Sequence, residues 1–338
     1  MHFRKNIDVK IALLAAQLLL PLAGAGAADR NLESRLMSLP SLTPGAKPPK
    51  VSFFARGLQA LEGKDYAAAL EYFDKAVAST GIKSTPLSWL TAQYQVCQTL
   101  NLLGRKPEAV TRARQMVETC ESALGAEDPI TSEALAYLAF LLQRNGRLME
   151  AEPVYARNLA GLVDKHGGDS FFAACARTRL ANLLMQLGRM EEAENHHRQA
   201  LAAAQTALGH EHADNCFFLT HLGYCLHVKQ KKPEAETLMN KAFSIVQASN
   251  VLEMPNGSSI LRRQAEFFRD IKQLDKARVA GRLCLERLAG RAETNRARFF
   301  FYDQVKELYH SILAADGLKP HEIKTHVAEV ETRARGDR

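Results

Sequence analysis

The 338-residue sequence predicts an all-α fold built from repeated antiparallel helix pairs. Three observations carry that prediction. No stretch shows the period-two alternation of a half-buried strand. Amphipathic stretches of helical period instead follow one another from Val51 onward, separated by short turns. One turn pattern also returns at a near-constant spacing: Gly63-Lys64-Asp65-Tyr66-Ala67-Ala68-Ala69, Gly104-Arg105-Lys106-Pro107-Glu108-Ala109, Gly146-Arg147-Leu148-Met149-Glu150-Ala151, Gly188-Arg189-Met190-Glu191-Glu192-Ala193, Lys232-Pro233-Glu234-Ala235 and, more weakly, Gln273-Leu274-Asp275-Lys276-Ala277. Its last alanine falls at 69, 109, 151, 193, 235 and 277, one step of 40 followed by four of 42.

Residues 1–27 read as an export signal. Arg4, Lys5 and Lys10 make a basic start, Ile11 to Leu22 a short apolar run, and Ala25-Gly26-Ala27 a small-residue cleavage site, with cleavage expected near Ala27 or Ala28. Gln17 and Pro21 interrupt the apolar run, which is short for a membrane span of about 20 residues; an uncleaved anchor is the other reading of this segment. No cysteine follows the run, so no lipoprotein anchor is expected. The expected location is periplasmic or secreted, with no stable membrane span after cleavage. Residues 28–50 carry Pro40, Pro44, Pro48 and Pro49 among Ser, Gly and Lys and read as a flexible linker.

The composition, 46% hydrophobic and 24% charged, is that of a folded chain. Loss of the signal lowers the formal charge of +7 to about +5. Lys and Arg are interspersed with Glu and Asp, which predicts a mixed solvated surface and no nucleic-acid partner.

The recurring turns resemble the tetratricopeptide repeat, in which a first helix, A, ends at a Gly-containing turn and a second, B, begins with a small residue that lets the helices approach. The resemblance covers residues 51–290 as six repeats. With the shared alanine as repeat position 20, position 8 is Gly57, Cys97, Ala139, Ala181, Gly223 and Ala265. Position 27 is small at Ala76, Ala200, Ala242 and Cys284, while Met116 and Asn158 depart from the pattern. Large apolar residues recur at position 7 as Val96, Leu138, Leu180 and Leu222. Leu124-Gly125-Ala126-Glu127-Asp128-Pro129 and Leu208-Gly209-His210-Glu211-His212-Ala213 resemble the connector of kinesin-light-chain-type repeats, each keeping one half of its His-Pro pair. The resemblance implies a right-handed superhelical solenoid with a concave groove lined by the A helices.

Beyond the repeats, Phe299, Phe300, Phe301, Tyr302, Val305, Leu308, Tyr309, Ile312 and Leu313 form an apolar stripe of helical spacing. It predicts a capping helix within 291–317, ended by Gly317 and Pro320, with a short helix and charged tail over 318–338.

Candidate chemistry is sparse. His196, His197, His210, His212, His221 and His227 cluster in sequence but not on one helical face, so no metal site is predicted. His321 and His326 are five apart, where a zinc-protease helix needs four. Phosphate-cradling Gly-rich loops and nucleophile-elbow motifs are absent. No cofactor and no enzymatic activity are expected. Of the six cysteines, Cys97 and Cys284 sit at small packing positions, and any disulfide is expected among Cys120, Cys175, Cys216 and Cys225.

The resemblance further implies that A-helix positions 2, 5, 9 and 12 face the groove. On this chain those positions include Tyr94, Gln98, Asn101, Phe140, Gln143, Thr178, Asn182, Met185, Phe217, Thr220, Tyr224 and His227, with Arg262, Glu266 and Arg269 in the sixth repeat. Amides and aromatics together suit an extended peptide, the amides bonding its backbone and the aromatics receiving its side chains. Asn182 is the central expected contact, and Arg262 and Arg269 are candidates to clamp a carboxylate. The expected function is an exported, non-catalytic scaffold holding a protein or peptide. A structural module that self-associates, and a metal-binding or enzymatic protein using the His-rich repeats, are the alternatives.

Overall fold

The computed structural model describes residues 52–249, 257–292 and 299–336, so the expected signal (1–27) and linker (28–50) lie outside the described residues. Among those residues are fourteen helices and no strand. In chain order they are α1 (Phe53–Glu62), α2 (Tyr66–Ser79), α3 (Pro86–Leu102), α4 (Lys106–Leu124), α5 (Pro129–Arg144), α6 (Leu148–His166), α7 (Phe171–Gln186), α8 (Met190–Leu208), α9 (Asn215–Val228), α10 (Lys232–Ala248), α11 (Gly257–Asp270), α12 (Leu274–Ala292), α13 (Phe299–Ala315) and α14 (Pro320–Gly336). The first twelve pair off as A (odd-numbered) and B (even-numbered) helices of the six repeats.

The A-to-B turn closes in the same way each time. Its central residue takes positive φ: 76°, 77° and 78° at Gly104, Gly146 and Gly188, but 60°, 62° and 62° at Lys64, Gln230 and Lys272. The next amide then reaches back to an orphaned helix carbonyl, as from Arg105 to Leu100 (2.9 Å), Arg147 to Leu142 (2.9 Å), Lys231 to Leu226 (2.9 Å) and Gln273 to Phe268 (2.8 Å). This closure turns the chain back on itself and presses the turn alanine against helix A. All six alanines, 69, 109, 151, 193, 235 and 277, are fully buried. The small residues opposite them are needed for the same reason: a Cβ on Gly57 would lie 2.5 Å from the Phe73 ring, and one on Gly223 would lie 3.0 Å from Met239.

The B-to-A connectors repeat as well. Thr131 Oγ1 donates to the Gly125 carbonyl at 2.7 Å, and 84 residues later Asn215 Nδ2 donates to the Gly209 carbonyl at 2.7 Å. His212 Nδ1 accepts the Asp214 amide at 3.2 Å, which fixes the turn ahead of α9.

The chain divides into two compact units between Val154 and Tyr155. In the first, α1 to α5 pack successively on one another along the chain and α3 also touches α5. In the second, α7 lies beside α9, α9 beside α11 and α11 beside α13, so neighbouring A helices share a face. Gly281 of α12 faces Tyr309 of α13, where a Cβ would come within 2.8 Å of the ring. Tyr302, Val305, Leu308, Tyr309, Ile312 and Leu313 are all buried, as a covering helix requires. The tail differs from the short helix expected: Pro320–Gly336 is a helix of 17 residues, as long as α13. Ile323, Val327 and Val330 give it an apolar stripe, and α14 packs chiefly on α12.

All six cysteines are free, five of them buried. Burial pushes the thiols of Cys97, Cys120, Cys216 and Cys284 up to about 12, so they stay protonated at neutral pH. Among the described residues, no helix is long and apolar enough to cross a membrane.

Candidate functional site

Burial sorts the four expected groove positions. In repeats two to five, positions 2, 9 and 12 are half-buried without exception: Thr91, Glu133, Cys175 and Phe217; Gln98, Phe140, Asn182 and Tyr224; Asn101, Gln143, Met185 and His227. Position 5 is instead a packing row. Tyr94, Ala136, Thr178 and Thr220 are buried there, because this position turns toward the adjoining A helix. Tyr94, Thr178 and Thr220 therefore leave the set of side chains that a partner could touch.

In the first unit, the Tyr94 ring stacks on Tyr137 with centroids 4.2 Å apart, and the Tyr137 hydroxyl donates to the Tyr94 carbonyl at 3.3 Å. Phe140 lies 6.5 Å from Tyr137, with the Arg144 guanidinium 5.8 Å over its ring. Gln98, Asn101 and Gln143 remain half-buried on this face.

In the second unit, Thr178 Oγ1 donates to the Ala174 carbonyl at 3.0 Å, and Thr220 Oγ1 accepts from Gln264 Nε2 at 3.3 Å, which ties α11 to α9. Phe217 packs edge-on against Phe218 and lies 4.4 Å from the His221 ring. His227 Nε2 is 3.4 Å from Asp270 Oδ2, and its ring meets Phe267 edge-on. The two arginines expected to clamp a carboxylate are already occupied. Arg262 pairs with Glu266 at 2.5 Å, one helical turn on, and Arg269 pairs with Asp270 at 2.9 Å and donates to Ser311 Oγ at 3.2 Å.

The cation left over is Arg263. Its Nη2 donates to Asn182 Oδ1 at 3.1 Å, and its guanidinium lies 4.4 Å over the Tyr224 ring. No carboxylate reaches it within ion-pair distance among the described residues. Burial, reinforced by the charge of Arg262, lowers its pKa to about 10, still charged at neutral pH. Asn182 Oδ1 also lies 3.1 Å from His221 Nδ1. His221 is held neutral, its pKa driven well below 6.5 by burial and then by Arg263. A neutral ring facing a carbonyl oxygen carries its proton on Nδ1, so Asn182 Oδ1 accepts two bonds. The neighbouring His197 ring, 5.9 Å from His221, is likewise neutral, lowered to about 3 chiefly by burial. Arg263 Nε and the Nε2 atoms of His197 and His221 are buried without a hydrogen-bond partner.

Asn182, His221, Tyr224 and Arg263 thus come together from three successive A helices. Arg263 and His221 occupy position 6, outside the four expected groove positions. Their signal was in the register: Tyr137, Arg179, His221 and Arg263 stand 42 apart, a row of polar or aromatic groups beside the apolar position 7. The sequence-adjacent histidines do not assemble. No group of three or more His, Cys, Asp or Glu is arranged to hold a metal ion among the described residues.

Comparison with known proteins agrees with this architecture. The tetratricopeptide-repeat family model matches residues 172–248. No curated protein matches the chain. Among solved structures, BtubC (BKLC) of P. vanneervenii is similar at 17% identity and a TM-score of 0.50, covering 78% of this chain and 94% of its own. TPR-like repeats of a candidate kinesin light chain from Podosopora anserina match at 21% identity and a TM-score of 0.47, over 57% of this chain and 93% of theirs. A Rap protein complexed with Competence and Sporulation Factor matches at 13% identity and a TM-score of 0.45, over 78% of this chain and 75% of its own. The family model thus identifies tetratricopeptide repeats over residues 172–248, and the recurring turn with its six buried alanines carries the same helix-pair pattern through all six repeats.

Proposed function

We propose that the chain is an exported, non-catalytic scaffold that holds a protein or peptide segment on the shared A-helix face of α7, α9 and α11. One observation carries this reading: half-buried amide, thioether and aromatic groups, Asn182, Met185, Phe217 and Tyr224, line up on adjoining helices with position 5 packed away beneath them. Such a strip offers apolar area at low entropic cost and donors for a backbone. The basic, apolar and small-residue segments of residues 1–27 support export to the periplasm or the medium. The reading needs no cofactor or metal.

The test uses the full chain, expressed in its own cell, with a photo-crosslinking residue at Met185 on the proposed face or at Gln199, an exposed position on α8. Adducts with another protein at Met185 and not at Gln199 are expected. Equal adducts from both positions, or none from Met185, would remove the basis for the reading. An adduct of the chain with itself at Met185 would establish self-association in its place. N-terminal sequencing of the same exported material should begin near Ala28; an intact Met1 would contradict cleavage.

A further inference from the structure

We infer that His197 and His221 make the second unit an acid-sensitive latch, in which proton uptake frees α9 from α7, α8 and α11. Histidine is confined to one part of the molecule: of the eleven in the chain, none lies in residues 25–154, the first unit. Two of those in the second unit are sealed inside it, His197 of α8 at 1% exposure and His221 of α9 at 3%. Their rings lie 5.9 Å apart, and the Phe217 ring covers His221 from 4.4 Å. A neutral imidazole is tolerated in such a place, whereas a buried imidazolium needs a counter-charge.

Among the described residues no helix supplies one. From α7, His221 meets the neutral amide of Asn182 at 3.1 Å. From α11 come Arg263, which shares that amide at 3.1 Å, and Arg262, whose charge Glu266 matches. From α8 come His196 and His197, with the Arg177 charge of α7 acting on His196. Glu194, one turn before His197, is already bound to Lys229, Lys231 and Arg198. On α9 itself, Cys225 stands one turn from His221 and is a neutral thiol, pushed up to about 11 by burial. No charged group of α10 acts on either ring. Burial and then these positive charges hold both rings neutral below the ordinary value of 6.5, His197 down to about 3.

A proton added to either ring puts a second positive charge beside Arg263. The Nε2 atoms of both rings are buried without a partner, so a new N–H there has no acceptor. Relief comes from bringing the rings to water, and rings this deeply buried reach water only if α9 parts from α8 and α11. Parting breaks the Asn182 contacts to His221 and Arg263 together with the 3.3 Å bond from Gln264 to Thr220. A histidine pKa lowered in the closed state stabilises that state fully above 6.5 and progressively less as the pH falls below it. Each ring thus weakens closure by up to about tenfold per pH unit, and the pair by up to about a hundredfold.

Native-state hydrogen exchange of the full chain, corrected for the pH dependence of free-peptide exchange, reads the latch between about pH 7.5 and 4.5 and needs no bound segment. Protection of α9 and α11 amides should fall with a slope approaching two protons, while α3 and α5 hold steady. Protection that is flat across the window, or lost equally in both units, overturns the inference. His221→Asn keeps a donor for the Asn182 oxygen but takes up no proton, and His197→Leu removes the other ring. Each should cut the slope by about one proton, whatever it does to absolute stability. A slope unchanged in both variants also overturns the latch. Carbon-labelled histidine rings give a reading on wild type alone, should neither variant fold. Two ring signals should keep their neutral shifts at about pH 5. If every ring titrates near 6.5 while the helices stay protected, there is no latch.

Discussion

Two places in the molecule solve the same packing problem with opposite chemistry. Between α3 and α5, Tyr94 stacks on Tyr137 at 4.2 Å and the Tyr137 hydroxyl donates to the Tyr94 carbonyl, so the contact is chiefly aromatic. Between α7, α9 and α11, the position that carries Tyr137 carries His221 and then Arg263, and the contact runs through Asn182. There three buried nitrogen atoms stay unpaired. The helices, turns and register are alike, so the difference cannot come from the frame. A repeat protein can thus vary position 6 from repeat to repeat, using an aromatic stack in one unit and a polar contact in another, because turn closure and the buried alanines already hold the helices.

The largest expected effect tests the aromatic contact. Tyr137 is 2% exposed and sandwiched between Tyr94 and Phe140. Tyr137→Ala should cost about 3–5 kcal/mol, read as a fall in the urea midpoint. Tyr137→Phe removes only the 3.3 Å hydroxyl contact and should cost about 1 kcal/mol or less. A loss of that small size in Tyr137→Ala would mean that the stack contributes nothing to cohesion, and the contrast between the two regions would fail.

A smaller effect concerns the charges behind the helices. In the first unit the turns carry plain exposed pairs, Arg105 with Glu108 and Arg147 with Glu150. In the second, Lys229, Lys231 and Arg198 converge on Glu194, whose side chain is only 9% exposed. Burial alone would raise the Glu194 pKa, but the hydrogen bonds from Lys229, Lys231 and Arg198 outweigh it and hold the value down at about 2. A depressed carboxylate pKa stabilises the fold above the ordinary value of 4.5, and that stabilisation is lost as the pH falls toward 2. Glu194→Gln should therefore cost about 2 kcal/mol at neutral pH, a figure reduced for the exposure of Lys231 and Arg198. Urea curves of the two proteins should converge as the pH drops from 4.5 toward 2. Glu108→Gln should leave the midpoint nearly unchanged. A gap between wild type and Glu194→Gln that stays constant across that window would show that the carboxylate acts through packing rather than charge.

The repeat frame was legible in the sequence because it is written in residue size. A turn alanine fits only where helices touch, and each of the six has no exposed surface. The groove was legible only in part. Rows 2, 9 and 12 keep the exposure expected of them, but row 5 is buried in repeats two to five, because the rotation of each A helix against its neighbour is set by side chains from two repeats at once. Arg263 was missed for a related reason. Three arginines stand at 262, 263 and 269 on one helix, and which of them lacks a counter-charge depends on Glu266, Asp270 and an asparagine 81 residues away. The length of α14 was missed because its stripe, Ile323, Val327 and Val330, is thin and lies among charged residues.

The smallest effect sharpens the comparison at the turns. The first unit closes α3 and α5 with Gly104 and Gly146 at φ of 76° and 77°, while the second closes α9 and α11 with Gln230 and Lys272 at 62°. A side chain at positive φ crowds its own backbone at a cost of about 1 kcal/mol, which glycine avoids. Both classes of turn make the same return bond, 2.9 Å from Arg147 to Leu142 and 2.9 Å from Lys231 to Leu226, so the strain is not relieved by a different closure. Gln230→Gly should therefore raise stability by about 1 kcal/mol, less the entropy that glycine adds to the unfolded chain, and Gly146→Gln should lower it by a similar amount. Thermal and urea midpoints of the two variants check the pair. Opposite signs mean that the turns after α9 and α11 carry strain which those after α3 and α5 do not, next to the helices that bear His221 and Arg263. If Gln230→Gly is neutral while Gly146→Gln is costly, the Gln230 side chain supplies a compensating contact, and the two units differ in surface chemistry alone.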